Sequence, residues 1–160
     1  KFAQSLPQED LLFLSMDLTQ PEVVEDWINN IKDGVSISMV AYDEDELVGY
    51  ANIHRNRAPW MRRVGEIRVN VAPSFRARGF GRVMISHIFD IARGIGLKKL
   101  MAQMTTDQNG AQAVFRKLGF VPEALLADFV EDRNGMTRDL VMMTFDVDGL
   151  SDQAGAPVKL

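Results

Sequence analysis

Cysteine is absent from all 160 residues. That excludes disulfides, thiolate metal ligands and a cysteine nucleophile able to carry an acyl group, and it agrees with a cytoplasmic setting. Histidine is nearly as scarce. His54 and His87 stand apart from each other and from any carboxylate cluster, so no metal site is expected. No apolar run approaches the ~20 residues that cross a bilayer, and no leader-peptide pattern is visible. Lys and Arg number 18 against 22 Asp and Glu, a net charge of −4. General nucleic-acid binders show the reverse balance, so neither nucleic acid nor membrane is an expected partner.

What is present reads as one domain over residues 1–148 with a loose tail or partner-contacting arm, "GLSDQAGAPVKL", at 149–160. The chain starts at Lys1 rather than methionine, which leaves room for a first strand ahead of it. "LPQEDLLFLSM" reads as a short helix from near Pro7. "TQPEVVEDWINNIK" reads as a second, with Thr19 as cap, Pro21 in the first turn and Trp27 as a core anchor among Val24, Ile28 and Ile31. From Val35 the period changes to two: "VSISMVAY", the turn "DEDE" and "LVGYANIH" form an antiparallel hairpin. After the Arg-rich loop "RNRAPWMRR", the strand "VGEIRVNVA" sends Ile67, Val69 and Val71 to one side and Glu66, Arg68 and Asn70 to the other. "GFGRVMISHIFDIARGIG" is a helix with an expected buried stripe of Phe80, Met84, Ile88, Ile91 and Ile95. Then follow a strand, "LKKLMAQMT", a helix, "NGAQAVFRKLG", closed by Gly119, and two strands around Asn134-Gly135. The order specifies a mixed α/β domain.

The stretch "VNVAPSFRARGFGRVM", residues 69–84, needs more than a connector's explanation. A helix starting at Gly79 leaves its first amide N–H groups without helical partners, and its dipole adds about half a positive charge there. Gly79 and Gly81 carry no side chain to hold a ligand off, and Arg76, Arg78 and Arg82 surround the turn with positive charge. The composition suits a bound phosphate. It is not a P-loop and not a G-x-G-x-x-G dinucleotide turn; the string present is R-x-x-G-x-G.

That string resembles the coenzyme A signature of the GNAT superfamily, the Gcn5-related N-acetyltransferases. "VAP" (Val71 to Pro73) precedes it, an apolar helix follows, and "FRKLGF" (Phe115 to Phe120) and a final hairpin lie where that family has them. The resemblance spans roughly residues 35–147. It implies a GNAT fold, with a mixed central sheet of about six to seven strands flanked by about four helices. It also implies acetyl-CoA as cosubstrate and a primary amine as acceptor. Backbone groups of Val69, Asn70 and Val71 would line the pantetheine, and amides of Ala77, Arg78, Gly79, Phe80, Gly81 and Arg82 would hold the pyrophosphate beside Arg76. Gln108 stands in the register of the family's pantetheine-binding Asn, with Asn109, the favoured candidate, one place later. Many members carry a proton-donating Tyr where this chain has Phe115, the main departure from the pattern. Tyr42 and Tyr50 are the only tyrosines, and neither has that register.

Acetyl transfer requires an amine, mostly protonated at neutral pH with a pKa near ~10, to lose a proton before attacking the thioester. Glu66 is the candidate base, since some members of the family carry a Glu at the matching place. Its other reading is an ion pair with Arg68 two residues on, or with a neighbouring strand. In the loop, Arg55, Arg57, Arg62 and Arg63 around Trp60 suit either an acidic acceptor or plain solvation, with Trp60 packed on the domain or on the second subunit of a homodimer. The resulting expectation is an N-acetyltransferase acting by direct attack in a ternary complex on a small molecule or peptide. The alternative is a non-catalytic acyl-CoA sensor, suggested by Phe115.

Overall fold

The structure, a computed structural model, describes residues 2–6, 18–132 and 134–147. The helix expected from near Pro7 and the tail at 149–160 lie outside the described residues. Among the described residues, four helices and six strands follow one another: α1 (Phe2–Ser5), α2 (Pro21–Lys32), β1 (Ser36–Asp43), β2 (Glu46–Arg55), β3 (Val64–Val71), α3 (Phe80–Gly94), β4 (Lys99–Thr105), α4 (Asn109–Lys117), β5 (Val121–Glu131) and β6 (Thr137–Asp146). The sheet order is β1-β2-β3-β4-β6-β5, with every neighbouring pair antiparallel except β3 and β4. Among the described residues, no helix is long and apolar enough to cross a membrane.

Strand register assigns each side chain to a face. Ala51 and Ile53 of β2 pair with Val69 and Ile67 of β3, while Leu100, Ala102 and Met104 of β4 pair with Phe145, Met143 and Val141 of β6. These residues pack with Met84, Ile85, Ile88 and Ala92 of α3 and Phe115 of α4 as one core. Each fully buried aliphatic side chain there contributes roughly 1.5–3 kcal/mol relative to exposure. The opposite face is polar across β1–β3: Ser36, Ser38, Tyr50, Asn52, His54, Glu66, Arg68 and Asn70. α2 covers part of it, through a bond from Trp27 Nε1 to Ser38 Oγ at 2.9 Å and a ring contact with Tyr50 at 5.1 Å.

α4 ends as its sequence requires. Gly119 takes φ +93°, Phe120 N–H donates to Phe115 C=O, and Gly119 N–H donates to Arg116 C=O, the paired bonds of a glycine-closed helix end. In the β5–β6 hairpin the Asp132 carboxylate accepts from the backbone N–H groups of Asn134 and Met136 and from Arg138, which also reaches Asp107.

Four local expectations need correction. The N-cap of α2 is Gln20, not Thr19, because Pro21 starts the helix without needing a capped donor. Trp27 is not a core anchor: α2 buries no residue fully, and the indole lies on the polar face where its N–H finds a hydroxyl. The buried stripe of α3 is Met84, Ile85, Ile88 and Ala92; Phe80 is only partly buried, and Ile95 lies past the helix end and is exposed. Finally, Trp60 does not pack on the domain, being 82% exposed.

Candidate active site

β3 and β4 run parallel but pair over three residues only, Val64–Glu66 with Lys99–Met101. Beyond Glu66 the strands part, leaving the facing edges of Ile67–Val71 and Ala102–Thr105 unpaired with each other. Unpaired strand edges carry N–H and C=O groups that must find partners, and an extended, amide-bearing ligand can supply them. The gap opens toward the C-terminal ends of both strands, where β3 runs through Ala72 into the turn before α3.

At that turn two residues take the left-handed conformation. Gly79 takes φ +88° and Ala77 φ +59°. The first helical bond is Val83 N–H to Gly79 C=O, so the amides of residues 77–82 have no backbone partner among the described residues. A Cβ added at Gly79 would meet nothing within 4 Å, and one at Gly81 would meet only Val71 Cγ2 at 3.8 Å, an ordinary contact. Packing therefore does not demand glycine at 81; its effect is to leave the approach to the helix end open. The three arginines expected to surround the turn are engaged differently from one another. Arg76 turns back, Nε donating to Val71 C=O at 3.0 Å, and ties the turn to the end of β3. Arg78 lies over the Phe75 ring at 5.2 Å, and Phe75 meets Phe80 edge-on at 5.6 Å. Arg82 is exposed in the first turn of α3.

On the polar face, Arg68 Nε and Nη2 both donate to Glu66 Oε1, at 3.1 and 2.6 Å. The pairing read as an alternative for Glu66 is thus present, and it fixes the carboxylate while Oε2 stays without a hydrogen bond among the described residues. His54 stands opposite Glu66 in register and bonds Ser36. Two strand positions further on, Asn70 Nδ2 donates to the Tyr50 hydroxyl at 2.9 Å. Tyr50 is 4% exposed, and burial pushes its phenol up to about 12 against the favourable influence of Asn70 and Arg68. It is a neutral donor across the physiological range and not a base. Tyr42, by contrast, is exposed.

Near α4, Gln108 Oε1 accepts the Thr105 N–H at 3.0 Å and so closes the turn after β4. Asn109 is exposed, its amide donating to Asp107 C=O at a long 3.4 Å. Phe115 is buried and meets Phe120 edge-on at 5.0 Å, a core position with no proton to give. Reading along the chain missed Tyr50 and Asn52. β2 is buried on both faces at its centre, so its alternation is blurred, and the two residues gain meaning only from cross-strand register with Asn70 and Arg68.

A sequence model described as the acetyltransferase (GNAT) family matches residues 4–120. The chain belongs to this family. Streptothricin acetyltransferase of Streptomyces lavendulae is 32% identical over 90 residues, 56% of this chain and 47% of that protein. N-alpha-acetyltransferase RimI of Mycobacterium tuberculosis is 38% identical over 76 residues, 46% and 45% of the two chains. The GNAT chain thus spans about half the length of the curated relatives it matches. A protein of Salmonella typhimurium, solved with its cofactor acetyl-CoA, superposes with a TM-score of 0.78 at 21% identity over 96% of this chain and 88% of that one. At that identity the likeness is one of fold, and the mixed six-stranded sheet with four helices is a GNAT fold.

Proposed function

We propose that this GNAT chain is an N-acetyltransferase that moves an acetyl group from acetyl-CoA to a primary amine of a small molecule or peptide, by direct attack in a ternary complex. The observation that carries the reading is the parting of β3 and β4 beside a helix end whose amides are open. The site fits acetyl-CoA because the cradle stays clear at Gly79 and Gly81 and the strand edges are unpaired where an amide-bearing arm would lie. In this reading the amides of Ala77, Arg78, Gly79, Phe80, Gly81 and Arg82 hold the pyrophosphate, while Arg76 braces the turn from below. Backbone groups of Val69, Asn70 and Val71 receive the pantetheine, and Asn109 supplies a side-chain amide, Gln108 being engaged by Thr105. Phe115 offers an apolar edge.

When bound, acetyl-CoA supplies a thioester: the amine nitrogen bonds to the acyl carbon, the C–S bond breaks, and CoA leaves as thiolate. Glu66 takes the amine proton at Oε2, directly or through water, while Arg68 holds Oε1. A thiol with a reference pKa of ~8.5 leaves without an obligatory acid, which makes Phe115 tolerable. Holding amine and thioester together supplies much of the remaining acceleration.

The test is CoA release, trapped through its thiol, with acetyl-CoA and pooled amino acids, polyamines, aminoglycosides and short peptides. Wild type releases CoA only with an acceptor, and Glu66→Gln lowers kcat by roughly 10²–10⁴-fold with acetyl-CoA affinity kept. Acetyl-CoA binding without release from any pool would instead favour the sensor reading.

A further inference from the structure

The polar face of β1–β3 holds a side chain that the proposed reaction leaves unused and that the fold leaves unsatisfied. Asn52 is 5% exposed, and its Oδ1 is fully buried without a hydrogen-bond partner. Its neighbours in register are committed elsewhere: Ser38 to Trp27, and Arg68 to Glu66. A buried carboxamide left unsatisfied is costly unless a ligand completes it. It presents an acceptor and a donor side by side, the complement of an amide bond.

We propose that Asn52 reads an amide adjacent to the reacting amine, so that the acceptor is an aminoacyl amide, either the first residue of a peptide or an amino acid amide-linked to a larger molecule. The inference rests on the acetyltransferase reading and specifies its substrate class. Asn52 and Glu66 are diagonal neighbours on adjacent strands, Asn52 facing Arg68 and His54 facing Glu66. Such diagonal positions lie about 7–8 Å apart. An aminoacyl amide places its two nitrogens about 3.5 Å apart, and with a hydrogen bond of about 2.9 Å at each end it spans up to roughly 9 Å, enough to bridge side chains that project from two such positions. The charges agree. Among the described strand residues of this part of the face, Glu66 is the one acid and Arg68 the one permanent cation, and they pair, leaving net zero. A polyamine would need further carboxylates, and a free amino acid would need a cation not already held by Glu66.

The test compares alaninamide, alanine methyl ester, alanine, spermidine and a trialanine amide, first by calorimetric binding to the CoA-loaded protein and then by CoA release. Alaninamide binds the wild type about ten-fold or more tightly than the ester, which lacks the N–H that Asn52 would receive, and Asn52→Leu collapses that ratio toward one. Further gain with the trialanine amide identifies a peptide; no gain identifies a small conjugate. Equal binding of amide and ester by the wild type overturns the proposal, as does preference for alanine or spermidine, and neither result depends on a variant folding. Amide-selective binding that needs Asn52 but gives no CoA release with any amine would sink the acetyltransferase reading and leave this recognition standing.

Discussion

Gly81→Glu separates binding from folding, because the structure gives the two effects opposite signs. A Cβ at this position meets only Val71 Cγ2 at 3.8 Å, so the fold accommodates a side chain. Within a helix, replacing glycine removes a conformational-entropy cost of roughly 0.5–1 kcal/mol. A carboxylate in the first turn adds about 0.3–1 kcal/mol through the helix dipole. The ligand-free variant should therefore be about 1 kcal/mol more stable, raising Tm by roughly 2–4 °C in a chain of this size. A diphosphate held on the same amides meets the new charge. At an effective dielectric of about 20, two unit charges about 5 Å apart repel by roughly 3 kcal/mol. Allowing about half for ionic screening still weakens acetyl-CoA binding at least ~10-fold. Calorimetric melting of the ligand-free protein and titration with acetyl-CoA read the two effects separately. An unchanged Kd would show that the phosphate does not lie at this helix end. A fall in Tm without ligand would show that Gly81 serves packing after all.

Other consequences follow from individual groups. Tyr50 binds its proton more tightly folded, with a pKa of about 12, than unfolded, where a phenol has about 10. Its contribution is complete below pH 10 and is lost as pH rises through that window, on the order of 3 kcal/mol in all; alkaline denaturation of Tyr50→Phe should lack this component. At neutral pH the same substitution removes the acceptor for Asn70 and should cost roughly 1 kcal/mol in urea unfolding. Asp132 is held below the usual carboxylate range first by the Met136 N–H, then by Asn134 and Arg138. Its stabilisation is present above about pH 4, the unfolded value, and fades as pH falls further. Asp132→Ala should lower Tm at neutral pH and flatten the acid limb of the stability profile.

Much of this arrangement is legible in the chain because local rules and tertiary demand coincide. Ile67, Val69 and Val71 alternate with Glu66, Arg68 and Asn70, and the two sets do lie on opposite faces of β3. Gly79, Gly119 and Gly135 adopt the positive φ that their turns require. The departures arise where an element touches two environments. α2 has an apolar stripe, yet it rests on a polar sheet face, so Trp27 becomes a hydrogen-bonding cover instead of a core residue. Arg76 looks like a phosphate ligand by composition but is turned back by the carbonyl at the end of β3. Asn52 and Tyr50 look ordinary in "LVGYANIH". Only the register with β1 and β3 reveals an unsatisfied amide on one and a protected phenol on the other.

The most direct measurement is bisubstrate initial-rate kinetics with acetyl-CoA and alaninamide varied together, quantifying free CoA and the acetylated amine in the same samples. The account predicts the two products in equal amounts and intersecting reciprocal plots, as direct attack in a ternary complex requires. Parallel plots, CoA released without acetylated amine, or acetyl-CoA bound without turnover for this or any other amine would contradict it.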